Sequence, residues 1–285
     1  MAVLVTLLNI TLNSSHKLEV LQAILCYARE TKQSQLIVHF NEKLNQWANE
    51  WNLDLEQKRN VLVNMAKTLV DEDHSSNVLQ LLIDLFRTYS SNEKLADAKG
   101  EVQDILSTAL LVAIKSPVSA FIDRTELLES LRGQVSSGKS GQLYKLLQIL
   151  CEGSMDDFYM FKDTSEGASL FKECELDVET LEREMRLLTI CTVAASQPAE
   201  AIGKPLSIEA IQKALKVEDS MEAELWVVEA ITEKLIDGSI DQVSGTVTVT
   251  RYAHRLFRSQ HWKVLQQQLQ KLRKSVHAVK KTIET

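Results

Sequence analysis

Three prolines and nine glycines are the only strong backbone breakers in this chain of 285 residues. That scarcity excludes a protein made largely of tight turns and favours long helices with short connections. Cysteine is equally sparse. Cys26, Cys151, Cys174 and Cys191 stand far apart, without the paired spacing used by zinc sites or disulfide frameworks. They are expected to be reduced, mostly buried thiols of an intracellular protein. No apolar run approaches bilayer length. The apolar start, Met1 to Ile10, has no preceding basic residues and is too short to span. It has the character of a core helix entered part-way, so an upstream piece is expected to be lacking. A cytoplasmic chain without a membrane partner is the expectation.

The signals that chemistry would need are also thin. The six histidines, at 16, 39, 74, 254, 261 and 277, show neither metal-ligand spacing nor the Glu companion of a metalloprotease. No glycine-bracketed serine nucleophile occurs. Trp47, Trp51, Trp226 and Trp262 fall at helical spacings and suit core or interface anchors better than base-stacking platforms. One motif does match literally: Gly133-Gln134-Val135-Ser136-Ser137-Gly138-Lys139-Ser140 has the phosphate-binding P-loop pattern. In that loop, backbone amides cradle phosphates, Lys reaches the terminal phosphates and Ser holds magnesium, which requires a buried strand feeding it. Here the preceding residues, Asp123 to Arg132, are charged and helical in pattern. Gly133, Gly138, Lys139 and Ser140 are therefore read as a chance match. No cofactor, metal, catalytic residue or enzyme activity is expected, and a P-loop nucleotide-binding protein is the remote alternative.

What the chain does have is helical periodicity. Leu18, Leu21, Leu25 and Ala28 line one stripe; Leu36, Phe40, Leu44, Trp47 and Trp51 line the next. Asp54 with Gln57 resembles a capping box and opens a stripe of Leu62, Met65, Ala66, Leu69 and Val70. Two more follow: Val78, Leu82, Leu85, Phe86 and Tyr89, then Val102, Ile105, Leu106, Ala109 and Ala113. Spacings of three and four put each set on one helical face, and short polar connections imply antiparallel pairs stacked as a solenoid. Residues 1–173 are assigned to this solenoid. A second unit opens with Leu181, Met185, Leu188 and Ala194, followed by a short helix from Ile208 to Val217.

From Met221 the pattern changes. An amphipathic helix to Leu235 leads into Ile236 to Gln242, a Ser244-Gly245 turn, and the strict alternation Thr246-Val247-Thr248-Val249-Thr250. That is a hairpin, and two helices followed by a hairpin make a winged helix over residues 174–252. The helix carries Glu218, Asp219, Glu222, Glu224, Glu229 and Glu233 against Lys234 alone. Such acid would repel phosphate, so this winged helix is expected to contact protein rather than a duplex. Met221, Leu225, Val228 and Leu235 are expected to anchor the helix on its module, while Ile240, Val247 and Val249 hold the hairpin at the partner-binding wing.

The tail, residues 253–285, is basic. From Arg251 onward, Arg251, Arg255, Arg258, Lys263, Lys271, Arg273, Lys274, Lys280 and Lys281 are opposed only by Glu284. Through it runs a heptad seam of Trp262, Leu265, Leu269, Leu272, Val276, Val279 and Ile283, which needs a partner helix. Intermolecular bundling is favoured; folding back on the chain's own solenoid is the alternative. The basic outer face can also make weak contact with RNA, although a solvated face is the commoner outcome.

A helical solenoid of TPR/HAM-like helix pairs, then a winged helix with Leu235-Ile236-Asp237-Gly238-Ser239-Ile240-Asp241 at the wing, resembles the PCI domain. That domain is shared by the proteasome lid, the signalosome and eukaryotic translation initiation factor 3. Within it, Trp47 with Trp51-Asn52-Leu53, Ala66 to Asp71, Pro117 to Asp123, Glu184 to Thr189 and Thr250 to Trp262 are similar to the M-subunit family of initiation factor 3. The similarity runs from about residue 5 to the end. Two departures stand out: the family has further helices upstream, and the Gly/Ser stretch at 133–141 has no family counterpart. The resemblance implies a non-catalytic scaffold whose winged helix joins others side by side, with β-augmentation at open strand edges. It implies other PCI and MPN subunits as partners, the small ribosomal subunit through the complex, and a role in recruiting messenger RNA and initiator transfer RNA. A PCI subunit of the signalosome or proteasome lid is the alternative.

Overall fold

The computed structural model describes residues 2–11, 13–31, 35–70, 75–89, 100–133, 135, 138–196, 205–255 and 259–283. Two compact units emerge, Met1–Arg186 and Leu187–Thr285.

Among its described residues the first unit consists of helices joined by short turns, with no strand. In chain order it contains α1 (Ala2–Ile10), α2 (Ser14–Thr31), α3 (Gln35–Glu50), α4 (Leu55–Val70), α5 (Ser75–Arg87), α6 (Gly100–Lys115), α7 (Phe121–Ser130), α8 (Lys139–Glu152), α9 (Met155–Asp163) and α10 (Ser165–Glu173). The first part of α11 (Val178–Ser196) completes it. Each helix packs on its successors in the chain: α4 on α5 and α6, α5 on α6 and α7, α8 on α9 and α10. This is the local stacking of a helical-pair array.

The apolar stripes read from the sequence supply the core. Leu21, Leu25, Ala28, Leu44, Trp51, Leu62, Met65, Ala66, Leu69, Val78, Leu82, Leu85, Phe86, Ile105, Leu106, Ala109 and Ala113 are all buried in one continuous cluster. Each large aliphatic side chain so enclosed contributes roughly 1.5–3 kcal/mol. Phe40 and Trp47 of α3 meet at a tilt with ring centroids 5.4 Å apart, and Trp47 stacks on Trp51, just past the helix, at 5.3 Å. The side chains of Leu36, His39 and Val70, and the whole of His74, lie outside the described residues. Of the cysteines, Cys26 is exposed and Cys151, Cys174 and Cys191 are buried.

Helix starts follow local chemistry. Asp54 accepts from the Leu55 N–H, and the Asp54 N–H donates to Gln57 Oε1 at 3.1 Å. Ser154 and Asp157 form a complete capping box at α9. One polar cluster interrupts the apolar interior. Arg124 of α7 donates to Glu184 Oε2 at 2.9 Å, to Ser116 Oγ and the Ile114 carbonyl at 3.3 Å each, and to the Ser116 carbonyl. It thereby caps the end of α6 and ties α7 to α11.

The second unit is the winged helix. Beyond α11 come β1 (Pro205–Ser207), α12 (Ile208–Leu215), α13 (Ser220–Thr232), β2 (Ile236–Asp241), β3 (Thr246–Tyr252) and α14 (Ser259–Ile283). The sheet is antiparallel in the order β1-β3-β2. The hairpin expected from the Thr/Val alternation is present, with Ile240 opposite Val247 and Asp241 opposite Thr246. It gains a third strand: Leu206 pairs with Val247 along the other side of β3. Three residues beginning with proline carry no strand periodicity, so β1 was not legible as one. A bulge between Asp237 and Gly238 brings Gly238 so close to β3 that a Cβ there would sit 2.4 Å from the Thr248 carbonyl oxygen. Glycine is required at that approach.

Candidate protein interface

The face that α13 buries is not the expected one. Ala223, Val227 and Ala230 face the unit's interior, whereas Met221 is 69% exposed, Leu225 65% and Val228 48%. Met221, Leu225 and Val228 are therefore corrected from internal anchors to an outward apolar stripe; Leu235 is buried as expected. Two alanines on the inner face let α13 approach its neighbours closely, and helical spacing alone serves either face equally well. Trp226 is half-buried, its Nε1 donating to Glu222 Oε1 at 3.2 Å.

The wing turn completes the surface. Asp241 accepts from the backbone N–H groups of Val243 and Ser244 at 3.1 and 3.3 Å, and from the Ser244 hydroxyl. These bonds to the ionised form, the Ser244 hydroxyl first, hold the Asp241 carboxyl below the usual range. The same turn leaves Val243 100% exposed. Met221, Leu225, Val228, half-buried Ile240 and Val243 line a groove of about 760 Å³ whose charged lining residues are Glu224 and Asp241. Val247 and Val249, grouped with Ile240 as partner-binding from the sequence, are buried on the inner face of the central strand. They hold the hairpin and are corrected as contact residues; only Ile240 of the three lines the groove.

The acidic residues in and flanking α13 lie at the surface: Glu218, Asp219 and Glu233 beside it are exposed, and Glu222, Glu224 and Glu229 within it are half-exposed. Open strand edges were expected at the wing; β1 occupies that of β3 at Thr246–Thr248, and β1 and β2 are the edge strands among the described residues.

The tail forms one helix of 25 residues, α14. Every side chain described between Trp262 and Lys280 is exposed, including Trp262, Leu265, Leu269, Leu272, Val276 and Val279 of the seam. Ile283 ends the helix, and its side chain lies outside the described residues, as do those of His261 and Lys281 and the whole of Arg258. Lys263, Lys271, Arg273, Lys274 and Lys280 are exposed. Two cations counted with the tail are used elsewhere: Arg251 Nε lies 2.6 Å from Asp237 Oδ2, and Arg255 is buried.

At the P-loop-like stretch, Gln134, Ser136 and Ser137 lie outside the described residues. Helix α7, not a strand, runs toward Gly133. Lys139 opens α8 with its Nζ 3.9 Å from Glu173 Oε2, and Gly138 supplies no side-chain cap. This is not the strand–loop–helix that aims amides and a lysine at phosphate. Among the described residues, no group of three or more His, Cys, Asp or Glu is placed to hold a metal, and no helix is long and apolar enough to cross a membrane.

Comparison with known proteins places names beside this geometry. The PCI domain family matches residues 157–251, from α9 to the end of the wing. A protein of Phaeosphaeria nodorum named eukaryotic translation initiation factor 3 subunit M is 29% identical over 286 residues, covering 100% of this chain and 62% of that protein. Its namesakes in Chaetomium globosum and Pyricularia oryzae are 29% and 27% identical, covering 87% and 85% of this chain. The chain spans 54–62% of the length of these three relatives.

Proposed function

We propose that this PCI-domain chain, similar along most of its length to the M subunits of initiation factor 3, is itself a non-catalytic scaffold subunit of that factor. In this reading it works in the cytoplasm and promotes assembly of the initiation complex on the small ribosomal subunit. The observation that carries the scaffold role is the exposed seam of α14: six described apolar side chains at alternating spacings of three and four, all facing solvent. Such a stripe on a polar helix is stable only when covered by partner helices. The relatives' names supply the process.

The functional division we propose is a helical arm to residue 173, a winged helix at 174–252 that adjoins other PCI subunits, and a tail at 253–285 that enters a helical bundle with PCI and MPN subunits. The exposed lysines of α14 and Arg273 support weak, salt-sensitive contact with RNA in this reading. The test is affinity purification of the tagged chain from its own cells after nuclease treatment, with mass spectrometry of what stays bound. Initiation factor 3 subunits together with small-subunit ribosomal proteins are expected. Recovery of a deneddylase complex would keep the fold and overturn the process. No stoichiometric partner would overturn the scaffold role.

A further inference from the structure

The groove on α13 is a second exposed apolar surface, chemically unlike α14. Its apolar wall is Met221, Leu225 and Val228 on one side and Ile240 with Val243 on the other. Among the described residues, both charged lining residues are carboxylates and no lysine or arginine lines it. Gln242 Nε2 donates to Glu224 Oε2 at 3.0 Å, fastening the wing turn to the helix, so the two walls are held together. The Asx turn at Asp241 fixes Val243 outward and keeps that carboxylate charged. An exposed apolar stripe rimmed by fixed negative charge suits an amphipathic helix bearing Lys or Arg at the edges of its apolar face.

We propose that this groove docks a short basic amphipathic helix of a partner protein. Aliphatic side chains of the partner meet Met221, Leu225 and Val228, while its cations meet Glu224 and Asp241. The length of the stripe argues for a short occupant. Met221 to Val228 spans roughly 10 Å along the helix axis, about two turns of a partner. The seam of α14 from Trp262 to Ile283 is roughly 30 Å long by the same measure, so most of a second copy's α14 would stay uncovered. Nucleic acid is disfavoured because the carboxylates repel phosphate. The inference rests on reading the chain as an assembly subunit but uses a surface separate from the tail.

The test is fluorescence anisotropy of the full chain with a labelled 14-residue Leu/Lys peptide, apolar at helical spacing, against a shuffled isomer of the same composition. The helical-spacing peptide is expected to bind at least tenfold more tightly. Leu225→Asp, at an exposed position, should weaken it at least tenfold without lowering Tm, and Glu224→Lys should do the same. Equal binding of the shuffled isomer, or no effect of L225D, overturns the proposal. So does sedimentation showing self-association that L225D abolishes, because the groove would then belong to a second copy. A chain that recovers its complex yet ignores the peptide sinks this inference alone. Peptide binding without any recovered complex sinks the scaffold reading instead.

Discussion

Arg124 shows what side-chain chemistry decides inside the helical unit. Its guanidinium is buried against Glu184, Ser116 and the Ile114 carbonyl, so every partner loses a bond if it goes. Arg124→Ala should destabilise the chain by about 3–5 kcal/mol, because it strands a buried carboxylate. Replacing both residues by apolar ones of similar volume should cost far less. Chemical denaturation of the two variants checks this. Glu184 also sets a pH dependence. Burial raises its carboxyl above the ordinary value near 4.5, more than Arg124 lowers it. A raised folded-state pKa means that the folded chain binds more protons than the unfolded one. The contribution of Glu184 is therefore full below its ordinary pKa and lost as pH rises through the raised value. Stability measured relative to Glu184→Gln should fall as pH rises above about 4.5. At the thiols, burial pushes Cys191 up to about 11. Alkylation of the native chain at about pH 8 should label exposed Cys26, with Cys151, Cys174 and Cys191 protected until unfolding. None of the Arg124 cluster was legible in advance. An arginine between Asp123 and Thr125 reads as a surface residue, and its carboxylate lies 60 residues away.

Elements were more legible, for reasons that differ between them. The stripes of α2, α4, α5 and α6 fell on the buried side because large aliphatics dominate one face of each. The alternation Thr246 to Thr250 gave β3, since a period of two has no helical reading. Helix α13 went wrong on orientation. Both of its faces are apolar, and the bulkier one, Met221-Leu225-Val228, points outward. The groove was therefore hidden until α13 and the wing turn were placed together. Strand β1 was missed for brevity, and with it the closure of one side of β3. The bulge at Gly238 supports a sharp prediction. Gly238→Ala forces a Cβ onto the Thr248 carbonyl and should cost roughly 1–3 kcal/mol, read by thermal unfolding. By contrast, Leu269→Asp with Leu272→Asp in α14 changes exposed positions and should leave the unfolding of the chain unchanged.

At the scale of the molecule, two exposed apolar surfaces stand out among the described residues: the seam of α14 and the groove of α13. Composition and periodicity announced the first, because a heptad is visible in a line of text. They could not say whose helices complete it, and the similarity to proteins named initiation factor 3 subunit M supplies the candidates. The most direct measurement is quantitative affinity purification of the full chain beside L269D/L272D, with isotope-coded mass spectrometry of the bound subunits. The account predicts that the wild-type chain retains initiation factor 3 subunits and that the seam variant, folded and equally abundant, loses most of them. Equal retention by the two chains would contradict it, because assembly would then not run through α14.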